Sequence, residues 1–345
     1  MNIRKPALLA ALALSAAPAA MADCAKVRMA EPGWSDLALT TAITQTLLES
    51  LGYETETGIL GVPVIYQSMR RGDLDVFMGY WDPSMRPYYD AYRDSGDIET
   101  VHQNLAGAKY TWAVPAYVYE AGVHSFADVA AHAGEFGERL YGIEPGSNQN
   151  MLDIVAQDAF GLGGWRVVES SEQGMLAQLR RSIRKKDWIL FLAWAPHPMN
   201  TAYDIRYLEG GDAFYGPDFG GATVSTQVRR GYLEECPNVG RLLTRLTFDV
   251  GMESEGMAHI LEEGDSAGEA ARKVLAAHAG RLEGWLDGVE TIDGAPGLAA
   301  VKDALGRGTR ELRIAFANID GSGIAALAGR LAALPFALAS HGASG

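Results

Sequence analysis

The chain has 345 residues, of which 48% are hydrophobic and 21% charged, and its 43 acidic and 29 basic side chains give a net charge of −14. This composition excludes a largely disordered chain and leaves room for two lobes of ordinary size. The negative charge argues against nucleic acid or an anionic membrane as a partner, because both would be repelled, but it tolerates a cationic ligand.

Residues 1–22 are typical of a secretory signal peptide. The basic pair Arg4-Lys5 precedes an apolar run over 7–14, and the AMA triplet at 20–22 fits the small-x-small cleavage pattern. We therefore expect an exported protein.

Two cysteines, Cys24 and Cys236, follow this segment. An even pair in an oxidising compartment favours a disulfide over two free thiols. Closing such a long loop would stabilise the fold by roughly 4 to 5 kcal/mol on the chain-entropy estimate.

Strands and helices alternate along most of the remaining chain. Apolar patterning predicts strands at 26–30, 53–60, 74–79, 98–101, 109–118, 139–143, 165–168 and 188–193. Helices are predicted at 35–51, 63–71 and 126–132, around 151–155 and through 176–183. This alternation predicts an α/β fold with mostly parallel sheets, and the units are too many for one lobe.

The last third of the chain changes in character. Residues 207–226 are rich in glycine and aromatic side chains, which predicts a loop and a strand that returns to the first lobe, and residues 238–289 are helical. Residues 307–345 contain an apolar stretch broken by Arg330 and Pro335. It is too short and interrupted to cross a bilayer, so either a loosely attached amphipathic helix or a disordered tail is expected.

Motifs for common enzyme chemistry are absent from the sequence. There is no GxxxxGK[ST] phosphate loop, no HExxH zinc motif and no GxSxG nucleophile elbow. We therefore predict no cofactor and no metal site. His197 stands between two prolines and is predicted to order its turn rather than to act as a base or a ligand.

Aromatic rings stand where predicted strands end. Trp34, Trp81 and Trp194 each close a strand, and Tyr110 lies in an extended run. Core packing explains each ring alone, but the carboxyl ends of strands in open α/β sheets meet at the ligand crevice. Rings around a crevice bind either flat sugar faces or a cation without N–H donors. Four cation–π contacts of about 0.5 to 2 kcal/mol would give roughly 2 to 8 kcal/mol, which is compatible with micromolar affinity.

Asp36 lies two residues after Trp34, at the start of the first predicted helix. A carboxylate there either favours the helix dipole or supplies the negative charge that a bound cation needs. Both interpretations stay open from the residues alone.

From Cys24 to Leu305 the chain resembles the periplasmic substrate-binding proteins of quaternary-amine ABC transporters, and among them the choline-binding members. The collinear segments that carry the resemblance are GWSD (33–36), DVFMGYWDP (75–83), NLAGAKYT (104–111), YGIEPGSNQN (141–150), VVESSEQGMLAQ (167–178), FLAWAPHPMN (191–200), FGGATV (219–224) and ECPNV (235–239).

The resemblance implies a two-lobed type II periplasmic binding protein, with a mostly parallel sheet flanked by helices in each lobe and the ligand in the cleft between them. Lobe 1 would comprise residues 23–111 and 216–305, and lobe 2 residues 112–215. Residues 306–345 would be a tail of unknown role.

The resemblance also implies which residues bind the ligand. The family's aromatic box maps onto Trp34, Trp81, Tyr110 and Trp194, with the Asp36 carboxylate beside the ligand. An asparagine after EPG contacts the choline hydroxyl, and this chain has Ser147 there, followed by Asn148, so either side chain is a candidate. The family's disulfide maps onto Cys24 and Cys236.

The implied function is that of a monomeric periplasmic protein, not an enzyme, that delivers a quaternary amine to an inner-membrane ABC permease. Choline is favoured because Asp36 would repel the carboxylate of glycine betaine but tolerates a hydroxyl. Glycine betaine, proline betaine or carnitine is the alternative within the family. An exported carbohydrate-active enzyme with indoles as sugar platforms is the alternative from another class, and a binding protein that feeds a chemoreceptor is a third.

Overall fold

The computed structural model describes residues 24–317, so the predicted signal peptide and residues 318–345 lie outside the described residues. The strands are β1 (Lys26–Glu31), β2 (Glu54–Ile59), β3 (Val76–Asp82), β4 (Ile98–Pro115), β5 (Arg139–Tyr141), β6 (Arg166–Val168), β7 (Phe191–Ala195), β8 (Ile205–Tyr207) and β9 (Gly221–Arg229). The helices are α1 (Ser35–Ser50), α2 (Val62–Arg71), α3 (Arg86–Asp94), α4 (Ala116–Tyr119), α5 (Ala133–Phe136), α6 (Gln149–Ala156), α7 (Glu172–Lys185), α8 (Met199–Ala202), α9 (Asp212–Tyr215), α10 (Pro217–Gly220), α11 (Tyr232–Glu235), α12 (Pro237–Leu243), α13 (Val250–Leu261), α14 (Ala267–Ala277), α15 (Leu282–Trp285) and α16 (Gly297–Ala317). Short 3₁₀ turns span Phe126–His132, Ala159–Gly161 and Ala279–Arg281.

The described strands form one sheet in the order β2-β1-β3-β9-β4-β7-β5-β6, with β8 beside β4. Parallel pairs occur at the two ends, where β1 lies between β2 and β3, and β5 lies between β6 and β7. Strands β4 and β9 are antiparallel to their neighbours in the middle. The predicted α/β architecture is confirmed, with one group of parallel strands on each side of these two crossover strands.

Strand β4 links the two groups. Sequence patterning predicted separate strands at 98–101 and 109–118, but β4 is continuous. Its first part pairs with β9, and its last part, from Lys109, pairs with β7. Register shifts between Thr100 and Ala108 interrupt the alternation of inward-facing and outward-facing side chains along β4. The sequence pattern therefore predicted two strands instead of one.

Helix α1 and the disulfide agree with the sequence prediction. Leu39, Ile43 and Leu47 are fully buried, as their helical spacing predicts. Cys24 and Cys236 are bonded to each other, which ties the start of β1 to the segment between α11 and α12.

The predicted tail begins inside a helix. Helix α16 contains a fully buried Val301 and packs against α1. Within residues 24–317, no helix is both long and apolar enough to cross a membrane.

Candidate functional site

Six of the seven ligand-site residues predicted from the sequence line one cavity. The full lining is Trp34, Asp36, Val62, Trp81, Ser84, Met85, Tyr88, Tyr110, Ile143, Ser147, Gln149, Asn150 and Trp194. The volume of the cavity is ≈ 20 Å³, so its walls stand close together.

The four predicted rings reach this cavity from different elements. Trp34 lies between β1 and α1, and Trp81 lies in β3. Tyr110 in β4 stands opposite Trp194 in β7 as an antiparallel pair, so the two side chains share one face of the sheet. The ring centroids of Trp81 and Tyr110 are 6.1 Å apart. The rings therefore come from both groups of strands.

Trp194 lies inside a strand and not on the turn after it. Sequence patterning predicted a strand at 188–193, whereas β7 begins at Phe191 and extends to Ala195. Ile189 and Leu190 are buried but belong to no strand, so the apolar run began before the strand did.

Tyr110 is held from two sides. Its hydroxyl donates a hydrogen bond of 3.0 Å to the Ser147 carbonyl. On the other side lies Gly220, where an added Cβ would stand 2.1 Å from the Tyr110 carbonyl oxygen, and the φ of +68° also favours glycine. The glycine-rich segment before β9 thus packs closely against the backbone of the strand that carries this ring.

Asp36 holds a buried carboxylate whose charge is not fully compensated. The residue is 2% exposed, and its Oδ1 has no hydrogen-bond partner among the described residues. Loss of hydration raises the pKa of Asp36 to about 7, and the Glu172 carboxylate adds to this rise, while backbone N–H groups and the Trp81 indole oppose it. A cation beside Asp36 would stabilise the ionised form.

Glu172, at the first position of α7, connects the two sides of the cavity. Its carboxylate accepts hydrogen bonds from the Ser35 N–H at 2.8 Å and the Ser35 hydroxyl at 2.7 Å. The His197 Nε2 lies 2.8 Å from the same carboxylate. Because His197 Nδ1 accepts from the Met199 N–H, Nε2 carries the proton and donates to Glu172. The predicted role of His197 in ordering its turn is confirmed.

A second buried carboxyl, that of Glu253 in α13, faces Asp36. Burial raises the pKa of Glu253 well above its usual value, and the Asp36 charge raises it further. The two carboxyls therefore disfavour each other's ionised form.

Ser147 and Asn148 occupy different environments. Ser147 lines the cavity. The Asn148 side chain turns away into the protein, where its Oδ1 accepts from the Ile143 N–H at 2.9 Å. Its Nδ2 donates to the carbonyls of Ile143 and Glu144 and to the Glu169 carboxylate, each at 3.0 Å. The ligand-binding role of all seven residues stays a prediction.

Sequence reasoning missed several lining residues. Ser84 and Met85 directly follow the segment that ends in Pro83, and Gln149 and Asn150 directly follow the Ser147–Asn148 pair, so proximity to these motifs was an available signal. Val62, Tyr88 and Ile143 carried no comparable signal, because nothing in their local pattern separates a cavity wall from ordinary core.

Comparisons with known proteins agree with the predicted family. Residues 25–277 match the OpuAC family model, described as the substrate binding domain of an ABC-type glycine betaine transport system. The structure is similar to an ABC-transporter choline binding protein in complex with choline, with 49% identity, a TM-score of 0.81 and coverage of 82% of this chain and 99% of that chain. The unliganded semi-closed conformation of an ABC-transporter choline binding protein is also similar, with 50% identity, a TM-score of 0.76 and the same coverage of 82% and 99%. A Chromohalobacter salexigens protein named Uncharacterized protein ORF1 is 48% identical over 130 residues, which are 38% of this chain and 84% of that protein.

The matched range includes both groups of strands and every residue that lines the cavity. It ends with helix α14, so α16 lies beyond it. The predicted type II binding-protein fold is confirmed by the similar structures. The chain belongs to the OpuAC family of substrate-binding domains of ABC-type glycine betaine transport systems.

Proposed function

We propose that this protein is an exported, periplasmic solute-binding protein that captures choline, delivers it to the permease of an ABC transporter and catalyses no reaction. The observation that carries the proposal is the convergence of three indoles, one phenol and the Asp36 carboxylate on one cavity. Support comes from the 49% identity to an ABC-transporter choline binding protein.

The rings and the carboxylate suit the ammonium end of choline. A trimethylammonium group has no N–H donors and a diffuse charge, so ring faces replace its hydration at little cost. Trp34, Trp81, Tyr110 and Trp194 supply these faces, and Asp36 supplies the opposite charge. The buried Asp36 oxygen then gains the cationic neighbour that the described chain does not provide.

The other end of the cavity favours a neutral group. No Lys or Arg lies among the lining residues in the described part of the chain. A carboxylate such as that of glycine betaine would thus lack a cationic partner and would be repelled by Asp36. Of the two hydroxyl-binding candidates from the sequence, Ser147 lines the cavity, whereas the Asn148 amide is engaged by protein groups.

Ligand binding would favour closure of two lobes, which we place at residues 23–111 with 216–305 and at residues 112–215. The cavity is lined from both sides, and the Ser35–Glu172 hydrogen bonds also connect the two sides. A ligand that contacts both lobes stabilises only the closed form, which gives a permease a state to recognise.

Calorimetric titration of residues 23–345 with choline, acetylcholine, glycine betaine, carnitine and proline betaine tests the proposal. We expect choline to bind most tightly, with micromolar affinity on the cation–π estimate. Trp81→Phe should weaken choline binding about 3- to 10-fold, because phenyl is a weaker cation–π partner than indole. Trp188→Phe is the matched control, since Trp188 packs against Phe136 outside the cavity.

Other outcomes separate the alternatives. Tighter binding of glycine betaine than of choline would establish the alternative ligand within the family. Binding of neutral sugars without any response to quaternary amines, or turnover of glycosides, would overturn the proposal.

A further inference from the structure

Besides Asp36 and the indoles of Trp34 and Trp81, two buried polar side chains on the cavity wall have a polar atom with no hydrogen-bond partner in residues 24–317. Ser84 is 7% exposed, and its Oγ is buried without a hydrogen bond. Asn150 is 8% exposed, and its Nδ2 is likewise buried without a hydrogen bond. Both residues line the cavity that holds the four rings.

Unsatisfied buried groups of this kind are uncommon, because a donor or acceptor removed from water loses its hydrogen bonds. A ligand that supplies the missing partner recovers this loss. The two atoms are therefore suited to a polar ligand group and not to the methyl groups of the ammonium end.

The two residues reach the cavity from opposite sides. Ser84 follows β3, in the group of strands that contains β1. Asn150 stands in the first turn of α6, which follows β5 in the other group. A ligand group that bonded to both would connect the two sides of the cleft, as Glu172 and Ser35 already do.

We propose that Ser84 and Asn150 form the subsite that binds the hydroxyl at the uncharged end of the ligand. The inference rests on the proposed function, which supplies a ligand with an ammonium at one end. The Asn150 Nδ2 only donates, and the Ser84 hydroxyl donates or accepts, so a ligand hydroxyl that accepts from the amide and donates to the serine would satisfy both.

This subsite would compensate for a difference from the family pattern. The chain has Ser147 where the resemblance implies an asparagine, and the following Asn148 amide is bound within the protein. Asn150, two residues further on, returns an amide to the cavity wall. Ser147 then has a lesser role, with its carbonyl accepting from the Tyr110 hydroxyl.

The test compares choline with ethyltrimethylammonium, which keeps the ammonium group and lacks the hydroxyl. Dissociation constants are measured by calorimetry for the wild type, Ser84→Ala, Asn150→Ala and Ser147→Ala. We expect Ser84→Ala and Asn150→Ala each to weaken choline binding about 3- to 10-fold, the usual effect of one hydrogen bond, and to change ethyltrimethylammonium binding less than about 2-fold. Ser84→Ala removes a single oxygen, so it keeps the test decisive if Asn150→Ala disturbs the start of α6.

Four results would overturn the inference. Equal losses for both ligands would show a purely structural role, and a hydroxyl preference that only Ser147→Ala removes would place the subsite there. A wild type that binds both ligands equally well would refute the subsite while the proposed function stands. A wild type that binds neither ligand would refute the proposed function and this inference with it.

Discussion

Choline affinity should fall as the pH is lowered through 7. In the ligand-free protein, loss of hydration and the neighbouring Glu172 carboxylate raise the pKa of Asp36 to about 7. Choline keeps its charge at every pH, so the pH dependence comes from the protein alone. A bound cation stabilises ionised Asp36 and lowers its pKa, and binding below pH 7 must therefore release a proton.

The size of the effect follows from the Asp36 pKa and the charge separation. With a pKa of about 7, roughly one Asp36 in thirty is ionised at pH 5.5, which limits the loss of affinity to about 30-fold relative to pH 8.5. Two unit charges about 5 Å apart attract by about 3 kcal/mol at an effective dielectric constant of 20, or roughly 100-fold in affinity. This attraction corresponds to more than the 30-fold limit that Asp36 ionisation sets. We therefore expect choline affinity to fall about 10- to 30-fold between pH 8.5 and pH 5.5.

Calorimetry at pH 5.5, 7 and 8.5, in buffers of different ionisation enthalpy, measures both the affinity and the proton release. Asp36→Asn should bind choline weakly at all three pH values and release no proton. Glu253→Gln is the matched control and should keep the wild-type pH profile, because Glu253 does not line the cavity. A wild-type affinity that does not change with pH, or an unchanged profile in Asp36→Asn, would refute the electrostatic role of Asp36.

Three further predictions concern stability and closure. Because the folded-state pKa of Asp36 is raised from 3.8 to about 7, its stabilising contribution is complete below pH 3.8 and is lost as the pH rises through 7. At pH 8, Asp36→Asn should thus raise the free energy of unfolding of the ligand-free protein, by roughly 4 kcal/mol at most, in denaturant titrations. Glu172→Gln should weaken choline binding about 10-fold, because it weakens the charge-assisted hydrogen bonds to Ser35. The same change should enlarge the radius of gyration of the protein in solution scattering. An unchanged radius would contradict the role of Glu172 in lobe closure. Replacing both Cys24 and Cys236 by serine should lower the free energy of unfolding by about 2 to 5 kcal/mol and leave the choline dissociation constant unchanged, since neither residue lines the cavity.

The parts of the fold that depend on local patterning could be predicted from the sequence. The buried face of α1 follows from the spacing of Leu39, Ile43 and Leu47. The meeting of Trp34 and Trp81 at one cavity follows from their places at strand ends, because parallel strands present these ends at one edge of the sheet. Pairing between distant strands leaves no such local signal, so the continuity of β4 and its antiparallel contacts with β7 and β9 were not predicted.

The same limit applies to the polar residues of the site. Glu172 and Glu253 occupy helix positions where a glutamate is most often exposed to solvent, and only the tertiary structure buries them. Ser84 and Asn150 stand in a turn and a first helical turn, where both residue types are common for local reasons. Their places on the cavity wall depend on how the two groups of strands face each other, which the sequence pattern alone does not specify.

The buried carboxyls explain why this cavity suits a methylated cation. Glu172 is compensated by hydrogen bonds from Ser35 and His197, and burial raises the pKa of Glu253 well above its usual value. Among these three carboxyls, Asp36 combines a pKa of about 7 with an oxygen that lacks a hydrogen-bond donor in the described part of the chain. A primary ammonium could pair with this oxygen, but its remaining N–H groups would face indole rings that offer few acceptors. A quaternary ammonium has no N–H groups to satisfy, so the same rings and the same carboxylate stabilise it without leaving an unpaired donor.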